Sequence, residues 1–364
     1  MTPTSPPAAE TGGDPVQAMV IGAPDFIAGQ AAGILEADPR ITVAARPVDG
    51  AEAVSQFRNA GIEAVVYDIG GNPAEALTTI SRLLHNDPDV QVIMISTLNF
   101  TNVKTGIEGL ERGAAEFLQT PAAHTKDSSL VVYQHNLTGT VHGLGLARRR
   151  AGGLEKAPEA PAETYPLRRE SMLAPEILLI ASSTGGPKAL ITVLEGLSSS
   201  VTAPILIAQH MPPAFTASLA RNIGDKCGRP SGEGKDGEIL EDGHIYVAPG
   251  DKHMVLEKDG EDVRIRINDD PPENYCRPSA DPLLRSAAGI FGAKILVTVL
   301  TGMGSDGAAG SRQIVDAGGT VIAQNEETCV VWGMPRAVAV AGLCSHVLPL
   351  EEIAGRLNKL AGGK

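Results

Sequence analysis

The amino-acid sequence predicts an α/β protein with two doubly wound parallel-sheet domains. Short apolar runs rich in Val and Ile alternate with helical patterns in both halves of the chain, as in parallel sheets covered by helices. The length of 364 residues exceeds the roughly 100–200 residues of one domain. Because only 3% of the residues are aromatic, we expect Ala, Val, Ile and Leu to fill both cores.

The first predicted domain spans residues 17–147. It follows residues 1–16, which we expect to be disordered because they are rich in Pro, Thr and acidic residues and lack an apolar core. Its last element is predicted to be a helix over residues 129–149, whose apolar residues recur at the spacing of one helical face. The predicted strands are residues 18–22, 41–45, 63–68, 90–96 and 114–120.

Residues 148–175 are predicted to form the linker between the domains. They are rich in Arg, Glu, Ala and Pro and have no apolar periodicity, which is typical of an extended or flexible spacer.

The second predicted domain spans residues 176–364 and resumes the parallel α/β pattern. Residues 236–267 interrupt that pattern with Glu-Asp-Gly and Asp-Gly turn signals between short strands, which predicts an antiparallel hairpin insertion. The chain is then expected to end in a polar tail that contains Gly and Lys. The predicted strands of the parallel sheet are residues 176–182, 203–209, 294–302 and 320–324.

Composition and charge exclude several classes of function. A formal net charge of −13 disfavours binding to nucleic acid, which depends on basic patches. The four cysteines have no CxxC spacing, so we expect neither a zinc knuckle nor a disulfide scaffold. We also expect no metal and no other cofactor. No export signal and no apolar run long enough to span a bilayer is apparent, so we expect a cytoplasmic protein without membrane insertion.

Three chemically capable side chains follow three predicted strands of the second domain. Ser183 follows residues 176–182, His210 follows the next strand, and Asp306 lies in a Gly-rich turn after residues 294–302. Parallel strands deliver their carboxyl ends to one edge of a sheet, so these side chains are predicted to meet there. A serine needs an imidazole to take its proton, and the imidazole needs a carboxylate to orient it, which predicts Ser–His–Asp acyl transfer.

Each of these residues also fits a structural role. Ser182, Ser183 and Thr184 precede a helix, as N-capping residues do, and Asp306 fits ordinary turn chemistry. A phosphate-binding loop is a weaker alternative, because neither GxxxxGK[ST] nor GxGxxG is present. An ordinary α/β-hydrolase is disfavoured by the chain order Ser, His, Asp. Because all three residues lie at strand ends, the sequence supports a catalytic role and the structural roles equally.

Six motifs in order resemble the catalytic domain of chemotaxis protein-glutamate methylesterases, the CheB family. The motifs are SSTGGPKAL (182–190), QHMPPAFTASLARNI (209–223), DGHIYVAPGDKHM (242–254), RPSADPLLRSAA (277–288), TGMGSDGAAG (301–310) and VVWGMPRAV (330–338). The resemblance implies a Rossmann-like three-layer domain with Ser183, His210 and Asp306 as the triad, Thr184 beside the active site and the Met303 backbone N–H in the oxyanion hole.

The same resemblance implies the substrate and the partners. The substrates would be methylated glutamates, and in some members glutamines, on the cytoplasmic helices of methyl-accepting chemoreceptors. Two other hypotheses remain: a signalling scaffold with an incidental hydrolase site, and a serine esterase that acts on another acylated protein. Residues in the matched motifs that could line the cleft are Arg277, His253, Trp332 and Met334.

The first domain resembles a response-regulator receiver of flavodoxin-like fold, with departures at its phosphorylation site. Asp68 stands where the phosphate acceptor belongs, but Gly22 and Ala23 replace the acidic pair that holds Mg²⁺, and Thr120 replaces a lysine. We therefore expect a degenerate receiver that does not turn over phosphate efficiently, although a chemotaxis histidine kinase remains a candidate partner. Asp25 is an alternative ligand for a cation.

Overall fold

A computed structural model of the protein describes residues 14–24, 27–58, 61–121, 127–151 and 165–362. The chain divides into two compact units, the first containing residues 1–98 and 108–152 and the second containing residues 99–107 and 153–364. Residues 1–13 of the predicted disordered segment lie outside the described residues, and the first strand already begins at Val16.

The first unit is a parallel five-stranded sheet with helices between the strands. Its order, β2-β1-β3-β4-β5, is the doubly wound order of flavodoxin-like and receiver folds, so the predicted fold class is confirmed. The elements are β1 (Val16–Ile21), α1 (Ile27–Glu36), β2 (Ile41–Ala45), α2 (Gly50–Phe57), β3 (Ala64–Asp68), α3 (Pro73–Asn86), β4 (Gln91–Ser96), α4 (Phe100–Glu111), β5 (Glu116–Gln119) and α5 (Asp127–Ala151).

Helix α5 continues into the residues that the sequence assigned to the linker. Arg149 lies within this helix and is buried, with its guanidinium donating to the Glu63 carboxylate at 2.5 and 2.8 Å. The same group donates to the backbone carbonyl oxygens of Asp14 and Pro15 at 2.6 and 2.8 Å. A buried arginine is retained only when its donors are satisfied, so these bonds hold the last turn of α5 against the sheet.

The second unit is a parallel seven-stranded sheet with a separate antiparallel hairpin. The order of the main sheet is β14-β13-β12-β6-β7-β9-β8. The elements are β6 (Ile177–Ser182), α6 (Gly186–Glu195), β7 (Ile205–Gln209), α7 (Phe215–Cys227), β8 (Ser231–Glu233), β9 (Ile245–Val247), β10 (His253–Asp259), β11 (Asp262–Asn268), α8 (Ala280–Phe291), β12 (Ile295–Val299), α9 (Ala308–Asp316), β13 (Thr320–Gln324), α10 (Met334–Val340), β14 (His346–Leu348) and α11 (Leu350–Ala361).

The predicted hairpin is present, but it is shorter than the sequence suggested. Strands β10 and β11 pair antiparallel from His253 opposite Asn268 to Asp259 opposite Asp262. Strand β9, which lies inside the segment predicted to be antiparallel, instead extends the parallel sheet beside β7. A strand of three residues carries too little periodicity for the sequence to show its direction.

The expected polar tail is instead an amphipathic helix. Helix α11 buries Ile353, Ala354 and Leu357, which lie on one face of the helix, against the main sheet. Its exposed face carries the Gly and charged residues that made this segment resemble a tail.

Two apolar layers cover the main sheet, one on each face. Every residue of β6 is buried, and alternate residues enter different layers: Leu179 and Ala181 pack with α8, α9 and α10, whereas Leu178 and Ile180 pack with α6, α7 and α11. After β6 the chain continues into α6, which belongs to one layer, whereas after β12 it continues into α9, which belongs to the other layer. The carboxyl ends of these adjacent strands therefore form the topological switch point of the sheet, where α/β domains bind ligands.

No helix in the described part of the chain is both long and apolar enough to cross a membrane.

Candidate active site

The structure brings the three predicted residues to the switch point of the second unit. Ser183 follows β6 directly, His210 follows β7, and Asp306 lies in the turn between β12 and α9. Because β6 pairs with both β7 and β12, each side chain emerges from a neighbouring strand at the same sheet edge. The placement predicted from the strand ends is thus observed.

Asp306 is the most heavily bonded side chain of the site. Its carboxylate oxygen Oδ2 is 2.7 Å from His210 Nε2 and accepts the Ala280 N–H at 2.6 Å. Oδ1 accepts the Ser279 hydroxyl at 2.6 Å and the Asn274 side-chain amide at 2.9 Å. Burial alone raises the pKa of Asp306, but these partners, His210 foremost, outweigh burial and lower the pKa to about 2. The group is therefore a permanent anion at neutral pH.

The bond to Asp306 decides which nitrogen of His210 is available as a base. Nε2 is committed to the carboxylate, so Nδ1 is the nitrogen that remains to take a proton from Ser183. The Ser183 hydroxyl makes no hydrogen bond in the described part of the chain. The two strand ends are joined through the backbone instead, because the His210 N–H donates to Ser182 O at 3.1 Å. Catalytic hydrogen bonds often form only when substrate is bound, so this geometry is compatible with the base role.

Gln209, which sequence reasoning did not single out, ties the two strand ends together. Its side-chain amide donates to Ser183 O at 3.0 Å and to His210 O at 3.1 Å, while its carbonyl oxygen accepts the Ser182 hydroxyl at 2.6 Å. The side chain is buried, so its hydrogen bonds form a fixed link between the backbone of the candidate nucleophile and that of the candidate base. A glutamine immediately before a strand-end histidine was the available signal.

Unpaired backbone donors flank Ser183. Within the described residues, neither the Thr184 N–H nor the Met303 N–H donates a hydrogen bond. The turn after Ser183 is sharp because Gly185 has a φ of 75°, and a Cβ there would lie 2.6 Å from Val330. An N–H next to the nucleophile and a second from a facing loop are what an oxyanion hole requires, which supports the roles predicted for Thr184 and Met303.

Gly302 brings the turn that carries Met303 against the nucleophile. A Cβ at Gly302 would lie 2.8 Å from Ser183 Cβ, 3.0 Å from its backbone nitrogen and 2.5 Å from Met334 Sδ. No side chain fits in this space, and the close backbone approach therefore requires glycine.

His210 has a second polar neighbour, the side chain of Cys276. Burial disfavours the imidazolium, but the neighbouring Cys276 side chain and the hydrogen bond to Asp306 favour it more strongly, and the pKa of His210 rises to about 10. In this arrangement the imidazole binds its proton more tightly than an ordinary histidine, so the basic form requires alkaline pH.

Most of the other residues predicted to line the cleft pack in the core or bond to neighbouring segments instead. Met334 is fully buried in the core, and Trp332 packs against it. His253 is buried and accepts the Ser279 N–H at Nδ1. Arg277 donates to Asp251 and to two backbone carbonyl oxygens.

The receiver-like site in the first unit has an unusual geometry around Asp68. Gly22 has a φ of 139°, and a Cβ there would lie 2.9 Å from the Ala28 Cβ and 3.1 Å from the Asp68 Cβ, so an acidic side chain does not fit this backbone. Burial raises the pKa of Asp68, whose Oδ1 accepts the Gly70 N–H at 3.0 Å.

The position where a receiver carries a lysine is also altered, because it holds Thr120. The Thr120 hydroxyl is buried and has no hydrogen-bond partner among the described residues. No cluster of three His, Cys, Asp or Glu residues able to hold a metal ion occurs among the residues described. Asp25, the alternative ligand, lies outside them.

Comparisons with known proteins cover the whole chain. A profile of the family described as CheB methylesterase matches residues 178–357. A protein-glutamate methylesterase/protein-glutamine glutaminase of Azospirillum brasilense is 41% identical, with 99% of this chain and 96% of that protein aligned. A protein of the same description from Rhodospirillum rubrum is also 41% identical, with 98% of each chain aligned. The solved catalytic domain of Thermotoga maritima CheB methylesterase is 40% identical, with a TM-score of 0.50, and aligns with 52% of this chain and 100% of that domain.

Replacing Gly302 with alanine is expected to displace Ser183 from His210 and the oxyanion donors. Misplacement of reacting groups by about 1 Å costs roughly a hundredfold in rate, so we expect a loss of that order in hydrolysis of a small ester such as p-nitrophenyl acetate. Gly289→Ala is the matched control, because a Cβ in that helical position meets nothing within 4 Å. Equal activity of the two variants would contradict the assigned packing.

The pH dependence of ester hydrolysis is expected to follow His210. Because its pKa is raised to about 10, kcat/KM should increase through the alkaline range as the imidazole loses its proton. Cys276→Ala removes one group that raises this pKa, so the rising limb should move to lower pH. Cys227→Ala is the control and should leave the limb in place. A limb near pH 6.5, the ordinary histidine value, in both wild type and Cys276→Ala would contradict this account.

Proposed function

This chain belongs to the CheB methylesterase family, and on that basis we propose that it hydrolyses the side-chain methyl esters of glutamate in chemoreceptors. The same site would convert glutamine side chains to glutamate. Both reactions are acyl transfers to water that differ in the leaving group, methanol for the ester and ammonia for the amide.

The observation that carries the proposal is the joint geometry of Ser183, His210 and Asp306. A buried carboxylate bonds one nitrogen of an imidazole, and a partly exposed serine lies at the end of the adjacent strand. Two backbone N–H groups that donate no hydrogen bond within the described residues flank that serine. Capping or turn formation alone requires neither the His210–Asp306 bond nor the unpaired donors.

The residues would act in sequence. As Ser183 Oγ attacks the ester carbonyl carbon, its proton passes to His210 Nδ1, and Asp306 stabilises the imidazolium. The Thr184 and Met303 N–H groups would stabilise the oxyanion. The bond to the methoxy oxygen then breaks, His210 protonates that oxygen and methanol leaves. Water then attacks the acyl-serine and gives a proton to His210. As the bond to Ser183 Oγ breaks, His210 passes that proton to Oγ, which releases glutamate and free Ser183.

The first unit has a receiver fold, but we propose that it does not turn over phosphate efficiently. Phosphoryl transfer to an aspartate depends on a divalent cation held by carboxylates, and positions 22 and 23 supply none. The crowding around Gly22 further supports this proposal, because the backbone there has no room for a side chain. A histidine kinase that binds this unit would then act through contact rather than through stable phosphorylation.

Ser183→Ala is expected to lower methanol release from a methylated chemoreceptor by about 10⁴-fold or more, as loss of a serine nucleophile does in comparable triads. Thermal stability should stay close to wild type, because the Ser183 hydroxyl bonds no other group among the described residues. Ser199→Ala, an exposed serine in a loop, serves as the control. Wild-type turnover by Ser183→Ala would refute the assignment of Ser183 as the nucleophile. If the wild-type protein hydrolysed p-nitrophenyl acetate but not the receptor, the substrate would be another acylated protein.

Incubation of the full chain with Mg²⁺ and a small phosphodonor is expected to label Asp68 slowly or not at all. A receiver with an intact acidic pair, treated in parallel, provides the positive control, and Asp68→Asn gives the background. Rapid Mg²⁺-dependent labelling that Asp68→Asn abolishes would overturn the proposal of a degenerate phosphorylation site.

A further inference from the structure

The loop between β11 and α8, residues 269–279, displays an exposed aromatic side chain. Tyr275 is 80% exposed in a protein whose residues are only 3% aromatic. No catalytic step proposed above uses it, and it contributes nothing to the core. Tyrosine is one of the residue types enriched among the side chains that contribute most to binding at protein interfaces.

The neighbours of Tyr275 in sequence place it beside the catalytic residues. Asn274 donates from Nδ2 to Asp306 Oδ1 at 2.9 Å, and the Cys276 side chain lies close enough to His210 to raise its pKa. Tyr275 is thus flanked on both sides by residues that each contact a member of the triad. Its ring, which points into solvent, therefore stands at the rim of the active site.

The loop is held rigidly by side-chain bonds along its length. Asn274 Nδ2 also donates to Asp281 Oδ2 at 2.9 Å, and because both partners are carboxylates the amide orientation is unambiguous. Glu273 pairs with Arg285, with one bond of 2.8 Å. Arg277 donates to the Asp269 and Asp270 carbonyl oxygens, and His253 Nε2 donates to Pro271 O at 3.2 Å.

This rigid loop holds Tyr275 in an unfavourable backbone conformation. Asn274 has a φ of 51° and Tyr275 a φ of 63°, so two consecutive residues other than glycine are left-handed. Asparagine tolerates this region, whereas a bulky aromatic residue does so rarely. Burial of the ring offers no compensation. Such conformations persist where the surroundings impose them, and they cluster at functional sites.

We propose that Tyr275 is a specificity-determining residue that contacts the polypeptide on either side of the glutamate being hydrolysed. The proposal rests on the proposed methylesterase function. In a glutamate side chain only two methylene groups separate the reacting carbonyl carbon from Cα. When that carbon reaches Ser183, the substrate backbone lies at the rim of the site, where the Tyr275 ring stands.

The chemistry of the tyrosine side chain suits this contact. An aromatic ring buries a large area and loses little side-chain entropy, and a loop that is already ordered adds no ordering cost on binding. A small ester such as p-nitrophenyl acetate has no flanking polypeptide to touch the ring. Tyr275 should therefore distinguish a protein substrate from a small ester.

The test uses the full chain with three substitutions and two substrates. Tyr275→Asn removes the ring and keeps a residue that adopts positive φ, Tyr275→Gly does the same without a side chain, and Tyr275→Phe keeps the ring. Phe100→Asn, which removes an exposed aromatic residue of α4, is the matched control. Methanol release from a methylated chemoreceptor and hydrolysis of p-nitrophenyl acetate are measured for each variant.

For Tyr275→Asn and Tyr275→Gly we expect kcat/KM on the receptor to fall about tenfold, mainly through KM, as loss of an interface anchor does. Hydrolysis of p-nitrophenyl acetate should stay within about twofold of wild type for these variants, as expected when truncation removes a contact made only by the larger substrate. Tyr275→Phe and Phe100→Asn should retain most of the receptor activity.

Three results would overturn the inference: unchanged receptor activity in both ring-removing variants, an equal loss on both substrates, or a loss in Tyr275→Phe as large as in Tyr275→Asn. An equal loss on both substrates would mean that the loop acts through the triad. If the wild type releases no methanol from the receptor but hydrolyses the small ester, the proposed function fails instead, and the two failures are therefore distinguishable.

Discussion

The buried negative charge of Asp306 is the constraint on which the rest of the active site depends. An ionised carboxylate with a side chain only 1% exposed is stable only if donors surround it. The first turn of α8 supplies backbone N–H groups with the favourable end of the helix dipole, and Ser279 and Asn274 supply side-chain donors. The positions of α8, of the loop before it and of the His210 ring all follow from satisfying this one anion.

A second carboxylate extends this network. Asp281 is buried in the first turn of α8, where its Oδ1 accepts the Gly310 N–H at 2.7 Å. Burial and the nearby charge of Asp306 both raise its pKa, so the two carboxylates differ in how readily they take a proton. Asn274 donates one hydrogen to each, which reduces the cost of holding the pair close together. The loop that carries Tyr275 is thereby joined to the electrostatics of the triad.

The two units have the same kind of sheet, but the aspartates at their carboxyl edges differ in chemistry. Both are doubly wound, and both place an aspartate at the carboxyl edge: Asp68 is the last residue of β3, and Asp306 follows β12. Asp306 is surrounded by donors that keep it ionised, whereas burial raises the pKa of Asp68. A strand-end carboxylate is therefore a position that the fold provides, and its neighbours decide its chemistry.

The sequence by itself determined the α/β class, the five strands of the first sheet, the four central strands of the second and the three strand-end residues. Buried parallel strands are continuous apolar runs whose carboxyl ends share one edge. It did not reveal Gln209, Asn274 or Cys276 as neighbours of the triad, since hydrogen bonds between distant segments leave no local pattern. Only the tertiary structure decided which nitrogen of His210 faces Asp306, that Gly302 must lack a side chain, and that Tyr275 stands exposed between two residues that contact the triad. These features depend on how loops pack against strand ends, where the packing of distant segments overrides local preference.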